Sequence, residues 1–276
     1  MAERNDRTQT LSIVMIARNE AERIRESLRS ALFADELIVV DTGSTDETAS
    51  IAREEGAHVT TIPFAGFGRT KQKAIELATR DWVLSLDADE HITKGLRKQI
   101  QKVIQSPGAY SGFRVHRRGW FLGQPMKHGG WGHDEVIRLF KRGRGRFTPD
   151  NVHERITVDG MVGTLEGVLE HHTDISFPHF LAKLDKYTTL AAEELASRPH
   201  RVVGLLPAMI HSFGTLVKQL ILQRGFLDGS RGILLAFSAA YSTLLRYSKA
   251  GMIRRGEGSV FVDRELEEVE RQDGVA

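Results

Sequence analysis

Trp82-Val83-Leu84-Ser85-Leu86-Asp87-Ala88-Asp89 decides how this chain is read. Residues 82–86 are a short, nearly unbroken apolar run, the pattern of a strand buried on both faces of a sheet. Two acids one residue apart follow at once. Asp87 and Asp89 are therefore delivered at the carboxyl end of a strand. In open α/β sheets, ligands bind along that edge. A divalent cation such as Mg²⁺ or Mn²⁺ prefers carboxylate oxygens and can neutralise a diphosphate. Acidic pairs at strand ends are common, so this pair gains its weight from the rest of the N-terminal half.

Working outward, residues 11–16 are a second apolar run and predict the first strand, with Arg18-Asn19-Glu20 after it. Asn19 and Glu22 have capping-box spacing, and Ile24, Leu28 and Leu32 then recur at helical intervals. Residues 37–40 predict a strand ending at Asp41, and Thr42-Gly43 turns the chain. Ser44 and Glu47 form another capping box, opening a helix that Gly56 closes. Residues 59–62 predict a strand and residues 70–79 a helix. Leu96, Ile100 and Ile104 mark a further helix, stopped by Pro107-Gly108. This alternation predicts an α/β fold with a doubly wound, mostly parallel sheet. After Tyr110, short apolar segments around Phe113, Val115, Val136, Ile137, Leu139, Val152 and Ile156 predict added antiparallel strands. From Pro178 onward the chain reads as helical. The expected division is residues 1–177 as the catalytic domain and 178–276 as a helical C-terminal region.

The 276 residues are 41% hydrophobic and 27% charged, ordinary for a folded globular protein. Cysteine is absent, which removes disulfides, thiol nucleophiles and cysteine zinc sites. The formal net charge of +2 gives no reason to expect a nucleic-acid partner. Residues 1–10 are polar and lack the apolar core of a signal peptide, so a cytoplasmic location is expected. There is no G-x-x-x-x-G-K-[ST] loop, and Gly66-Phe67-Gly68 neither follows the first strand nor has dinucleotide spacing. A P-loop enzyme and a Rossmann dehydrogenase are thereby disfavoured.

Three segments, Ser12-Ile13-Val14-Met15-Ile16-Ala17-Arg18-Asn19-Glu20, Ile38-Val39-Val40-Asp41-Thr42-Gly43-Ser44-Thr45-Asp46 and Leu86-Asp87-Ala88-Asp89-Glu90, occur in this order. Together they resemble the successive motifs of family 2 inverting glycosyltransferases, which have the GT-A fold. The resemblance covers about residues 11–175. Val136-Ile137-Arg138-Leu139-Phe140, Val152-His153-Glu154 and Gly225-Phe226-Leu227-Asp228-Gly229-Ser230-Arg231-Gly232 are similar to the bacterial lipopolysaccharide-core β-glucosyltransferase subgroup.

The resemblance implies a role for each matching position. Ala17, Arg18, Asn19, Glu20 and Asp41 correspond to the segment that holds the nucleotide base, usually uracil. Lys71 falls where many members carry an Arg-Asn pair near the nucleotide; this chain departs from that pattern. Asp87 corresponds to the ribose-side acid and Asp89 to the direct ligand of Mg²⁺ or Mn²⁺. The implied donor is a UDP-sugar, with glucose as the sugar. The implied acceptor is a lipopolysaccharide-core or other lipid-linked saccharide. An inverting transfer also needs a carboxylate to take the acceptor proton. Glu154 leads, with Asp134 and Glu135 as alternatives.

Blander readings accompany these. Asp41 alone reads as a turn cap, and His153 as a packed histidine. His171 and His172, adjacent on a strand, point to opposite faces, so at most one enters a site. Trp120 and Trp131 either stack on a sugar or fill a loop core. Residues 202–222 and 232–245 are apolar but interrupted by His211, Lys218 and Arg246. The second stretch is shorter than the ~20 residues that span a bilayer. Helices lying in the membrane interface are expected, with Lys218, Arg224, Arg231, Arg246 and Lys249 toward phosphates; a helical subdomain packed on the catalytic core or on a second subunit is the alternative. That makes the protein peripheral on the cytoplasmic face of the inner membrane. Two other functions stay open: a nucleotidyltransferase that makes nucleotide-sugars, and an inactive glycolipid-binding protein.

Overall fold

The computed structural model describes residues 8–132, 134–148, 154–174 and 176–257. The chain forms two compact units. The first comprises residues 1–118 and 134–172, the second residues 119–133 and 173–276. The segment 119–133 thus groups with the C-terminal helices, although it precedes the expected boundary at 177. Val152 and His153 lie outside the described residues.

The first unit begins as alternation predicts: β1 (Leu11–Ala17), α1 (Ile24–Ala31), β2 (Glu36–Asp41), α2 (Thr48–Glu54), β3 (His58–Thr61), α3 (Phe67–Glu76) and β4 (Trp82–Ser85). Along the chain then come β5 (Glu90–Ile92), α4 (Lys94–Gln105), β6 (Tyr110–Phe121), β7 (Gln124–Pro125, within the second unit), β8 (Asp134–Lys141), β9 (Gly145–Phe147), β10 (Ile156–Val158) and β11 (Met161–Asp174). The main sheet runs β3-β2-β1-β4-β8-β6-β11-β5. β1 pairs in parallel with β2 and β4, and β2 with β3. β8 joins β4 antiparallel and starts the added strands. The expected GT-A arrangement of a parallel sheet extended by antiparallel strands is present.

The sheet is buried on both faces, which explains the unbroken apolar runs. Ile13 and Met15 of β1 pack with Ile24 and Leu28 of α1 and with Ile100 of α4. Val14 points the other way, toward Ala74 and Ile75 of α3. Each buried Leu or Ile contributes on the order of 1.5–3 kcal/mol. Leu96, Ile100 and Ile104 form the buried stripe of α4, and Thr93 caps that helix by accepting from Leu96 N at 3.3 Å.

Neither expected capping box forms. The N-caps of α1 and α2 are Arg23 and Glu47, without side-chain caps. Asn19 takes a left-handed conformation at φ 54° and accepts from Thr45 N at 2.8 Å. Ser44 Oγ accepts from Asn19 N at 3.0 Å. The capping-type side chains therefore lace two loops to each other, at the carboxyl ends of β1 and β2.

The second unit holds α5 (Phe177–Ala196), α6 (Leu205–Val217) and α7 (Gly229–Arg254). A π-helical turn over Lys218–Leu222 and a 3₁₀ turn over Gly225–Asp228 join the last two. Phe121, Met126, Phe180 and Leu235 form its buried cluster. Ser212 donates to Ala240 O at 2.7 Å, which ties one side of α6 to α7. The other side of α6 exposes Leu205, Leu206, Met209, Ile210 and Phe213. Among the described residues one helix, Leu205–Leu222, is long and apolar enough to cross a membrane by length and composition alone. Only 6% of that stretch is buried.

Candidate active site

The parallel register sets Ala17 beside Asp41, so the ends of β1 and β2 reach one edge of the sheet. Leu86 N donates to Val14 O at 3.0 Å, and the chain then turns through Asp87-Ala88-Asp89-Glu90. Glu90 N closes this turn on Asp87 O at 3.0 Å. Glu90 Oε2 accepts from Asp87 N at 3.1 Å. Ser27 of α1 donates to Glu90 O at 2.7 Å, holding the turn from below. The acidic turn is fixed by its own backbone and by a helix that packs beneath it.

Asp87 sits between two cations. Lys71 Nζ lies 2.8 Å from its Oδ1, and Arg138 Nη2 lies 2.6 Å from its Oδ2. Burial opposes ionisation of Asp87, but Arg138 and then Lys71 overcome it and hold the carboxyl well below the usual range. Lys71 Nζ also stands 2.8 Å from Glu154 Oε1, bridging two carboxylates 67 positions apart (154 less 87). Burial works against the Lys71 ammonium, yet Asp87 and Glu154 keep its pKa above that of an ordinary lysine.

The pairing continues. Arg138 Nη2 reaches Glu90 Oε1 at 2.5 Å, and Arg117 Nη1 reaches the same oxygen at 3.4 Å. Arg117 also holds Asp134, with Nε at 2.8 Å and Nη2 at 2.5 Å from Oδ2. Asp134, Arg117, Glu90, Arg138, Asp87, Lys71 and Glu154 thus form one chain of alternating charge. It has four carboxylates and three cations, so it carries an excess of negative charge. Glu90 is fully buried and Arg138 is 6% exposed, so removing a partner would strand a buried charge.

Asp89 lies apart from this chain. Its Oδ2 is 3.3 Å from His171 Nε2 and 4.0 Å from Arg23 Nη1. Burial opposes its ionisation, but His171 outweighs that and lowers its pKa. β11 pairs with β5 so that His171 faces Glu90, which brings the imidazole alongside the acidic turn. His172 packs against His91 instead, with ring centroids 4.5 Å apart and the planes tilted by 33°. A carboxylate oxygen and an imidazole nitrogen side by side are donors that suit a divalent cation such as Mn²⁺. Both oxygens of Asp87, by contrast, already face cations.

Of the residues expected on the nucleotide side, Asp41, Asn19 and Glu20 lie at the carboxyl ends of β1 and β2. Asp41 is 5% exposed and closes the expected turn. It accepts from Gly43 N at 3.2 Å, from Ser44 N at 3.2 Å and from the Ser44 hydroxyl. Asn19 and Glu20 lie in the laced loops, and Glu20 N donates to Thr48 Oγ1 at 2.7 Å. Glu135 is exposed and alternates away from Asp134 along β8. Trp131 packs edge-on against Phe121, with centroids 5.8 Å apart.

Sequence reasoning left Glu90, Arg117, Arg138 and His171 without roles. Arg138 had a local signal, because it is a lone charge between Ile137 and Leu139 in an apolar strand. Arg117 and Glu90 had none, since their meeting depends on how β6, β8 and the acidic turn assemble.

A family model described as glycosyl transferase family 2 matches residues 12–171. The chain is 28% identical over 251 residues to the lipopolysaccharide core biosynthesis glycosyltransferase LpsC of Rhizobium meliloti (strain 1021). That match covers 86% of this chain and 93% of the relative. It is 27% identical over 253 residues to the uncharacterized glycosyltransferase RP128 of Rickettsia prowazekii (strain Madrid E), covering 87% and 86% of the two chains. Among solved structures, glucosyl-3-phosphoglycerate synthase from Mycobacterium tuberculosis, crystallised with Mn²⁺, UDP and glucosyl-3-phosphoglycerate, matches with a TM-score of 0.36 at 25% identity. That likeness covers 40% of this chain and 44% of the other.

Proposed function

The chain belongs to glycosyl transferase family 2, and on that premise we propose that it moves glucose from UDP-glucose to a saccharide acceptor of the lipopolysaccharide core, with inversion at the anomeric carbon. The observation that carries this is the Lys71 bridge. One ammonium links Asp87, on the acidic turn, to Glu154, the candidate base. Donor-side and acceptor-side groups are thereby within one side chain of each other.

In this reading the loop of Ala17, Arg18, Asn19 and Glu20 flanks the base, and Asp41 accepts from a base N–H with lone pairs the turn leaves over. Asp87 takes a ribose hydroxyl. Lys71 turns toward the diphosphate. Asp89, with His171, would hold Mg²⁺ or Mn²⁺, which when bound supplies charge stabilisation for the leaving UDP. Glu154 accepts the proton of the attacking hydroxyl, and its carboxylate points that hydroxyl at the anomeric carbon. Asp134 is the alternative base, but the Arg117 pair occupies one of its oxygens. Glu135, exposed on the opposite side of β8, is the weaker alternative.

The test is turnover of a panel of UDP-, GDP- and dTDP-sugars, with Mn²⁺ and in EDTA, with lipopolysaccharide core as acceptor. Consumption of UDP-glucose that needs the cation supports the reading. Consumption of a sugar phosphate and a nucleoside triphosphate instead would make the protein a nucleotidyltransferase. No turnover and tight core binding would make it an inactive glycolipid-binding protein.

The same reading puts the work on a lipid-linked acceptor at the cytoplasmic face of the inner membrane. Residues 198–255 carry nine Lys and Arg, and their single acid, Asp228, is buried; Lys249, expected to face phosphates, is buried instead and holds Asp185 at 2.6 Å, so it is not among the surface cations. Beside them stands the exposed apolar side of α6, whose opposite side packs on α7. Apolar insertion with cations at the headgroups fits a helix lying in the interface better than one crossing it. Reversing the charge of the exposed Arg201, Lys218 and Arg224 to Glu should release the protein from vesicles of anionic lipid. Salt at about 1 M, where the screening length is ~3 Å, should do the same to the wild type. Co-sedimentation reads both, and wild-type protein that stays in the supernatant at low salt would rule the attachment out.

A further inference from the structure

β8 changes phase at one residue. Its pairing with β6 sets Leu139 opposite Phe113 and Ile137 opposite Arg114, so Arg138 is the extra residue of a β-bulge. The packing shows the same break. Positions two apart share a face of a regular strand. Here Val136 packs in the same core cluster as Leu139, and Ile137 in the same cluster as Phe140, each pair three apart. A bulge re-aims the side chain it carries. This one carries an arginine, and aims it at the acidic turn after β4.

The arginine is a costly choice at that position. It is 6% exposed, and its Nε is buried without a hydrogen-bond partner among the described residues. A buried N–H that lacks an acceptor lowers stability. An aliphatic side chain would have continued the apolar run of residues 136–140 with no bulge. What the arginine provides is a double hold on Asp87. Nη2 meets Asp87 Oδ2 at 2.6 Å. The same nitrogen meets Glu90 Oε1 at 2.5 Å, and Glu90 Oε2 accepts from Asp87 N at 3.1 Å. Side chain and backbone of Asp87 are thus both held from one guanidinium nitrogen. The other carboxylate oxygen, Oδ1, faces Lys71 Nζ at 2.8 Å. That ammonium is shared with Glu154 and sits on a flexible four-carbon stem, whereas the guanidinium is planar and buried.

We propose that Arg138 is the residue that positions Asp87 for the donor. It keeps Oδ2, so that Oδ1 is the oxygen offered to a ribose hydroxyl once Lys71 turns to the diphosphate. This rests on the transferase reading for its ligand, a ribonucleoside diphosphate. Arg138 then sets the preference for ribose over a sugar without hydroxyls, although it touches no part of the nucleotide. Without it, both oxygens of Asp87 are free to turn to Lys71, and the direction of the hydrogen bond is lost.

The test is calorimetry of the full chain with Mn²⁺, comparing UDP with 2′,3′-dideoxy-UDP. Wild-type protein should prefer UDP by roughly ten- to hundredfold, the worth of a hydrogen bond to a charged group. Removing Arg138 alone would strand the buried Glu90, so Arg138→Met is combined with Glu90→Gln, which still offers an oxygen to Asp87 N. In this double variant the preference should shrink to about threefold or less, because an undirected carboxylate gives up most of that hydrogen bond. Arg138→Lys keeps the buried charges balanced and so guards against a folding failure; its shorter reach should also cut the preference severalfold. Glu90→Gln alone should keep it. A general loosening of the fold would weaken both nucleotides equally and leave their ratio unchanged. An unchanged ratio in the double variant or in Arg138→Lys would overturn the proposal, as would an equal loss in Glu90→Gln alone. A wild-type protein that binds both nucleotides equally would remove Asp87 from the ribose, and the proposal with it. Failure of the transferase reading is seen separately, as wild-type protein that turns over no nucleotide-sugar; a UDP preference lost with Arg138 would still support the positioning role in that case.

Discussion

Glu154→Gln is expected to lower the rate of sugar transfer by about two to four orders of magnitude, the usual worth of a positioned general base. The substitution keeps the shape of the side chain and its place beside Lys71, and removes only the proton acceptor. Lys71 loses one of its two carboxylate partners but keeps Asp87 at 2.8 Å, so the bridge loosens rather than collapses. UDP binding, measured by calorimetry, should change little, because the proposed reading puts the lost charge on the acceptor side. If UDP binding disappeared while transfer survived, Glu154 would be a nucleotide residue and Asp134 would take over as the base.

Asp89→Ala is the second large effect. The carboxylate would supply a cation ligand, and charge stabilisation of a departing diphosphate is worth several kcal/mol. At 1.36 kcal/mol for each tenfold, transfer should fall by about three orders of magnitude or more. Wild-type protein in EDTA should show a loss of the same size, restored by Mn²⁺. Thermal stability without nucleotide should change by only a few degrees, since Asp89 stands outside the alternating chain that ties Asp134 to Glu154. Full activity in the variant, or in EDTA, would remove the cation from the mechanism.

How far the sequence could be read follows from the range of each interaction. The parallel half was legible because its signal is local. A strand buried on both faces must be an unbroken apolar run, and residues 11–16, 37–40 and 82–86 each show one. The acidic turn was legible for the same reason, as it directly follows the third run. Asn19 and Ser44 misled, because the chemistry that caps a helix also serves a neighbouring loop. Their true partners, Thr45 for Asn19 and Asn19 for Ser44, depend on the β1–β2 register. β5 was missed because a three-residue strand has too little pattern to register.

The charge network was the least legible part. Lys71 and Glu154 are 83 positions apart, and Arg138 and Asp87 are 51 apart. No helical or strand period links such residues. His171 and His172 show both limits together. Alternation said that the strand would separate them; only the antiparallel pairing of β11 with β5 sends His171, not His172, to Asp89. Segment 119–133 was assigned by position to the first domain. Its grouping with the C-terminal helices comes from Asp228 and Arg231, about a hundred residues further on.

The stereochemistry of the transferred sugar tests the central claim most directly. A single carboxylate base acting on an acceptor hydroxyl implies in-line displacement, so the anomeric centre must invert. Proton NMR of the product formed from UDP-α-glucose, Mn²⁺ and a soluble lipopolysaccharide-core oligosaccharide reads this in the coupling of the new anomeric proton. The account predicts a β-glucoside, with the large coupling of an axial proton, formed as UDP is released. An α-glucoside would contradict it, because retention cannot arise from one displacement directed by Glu154.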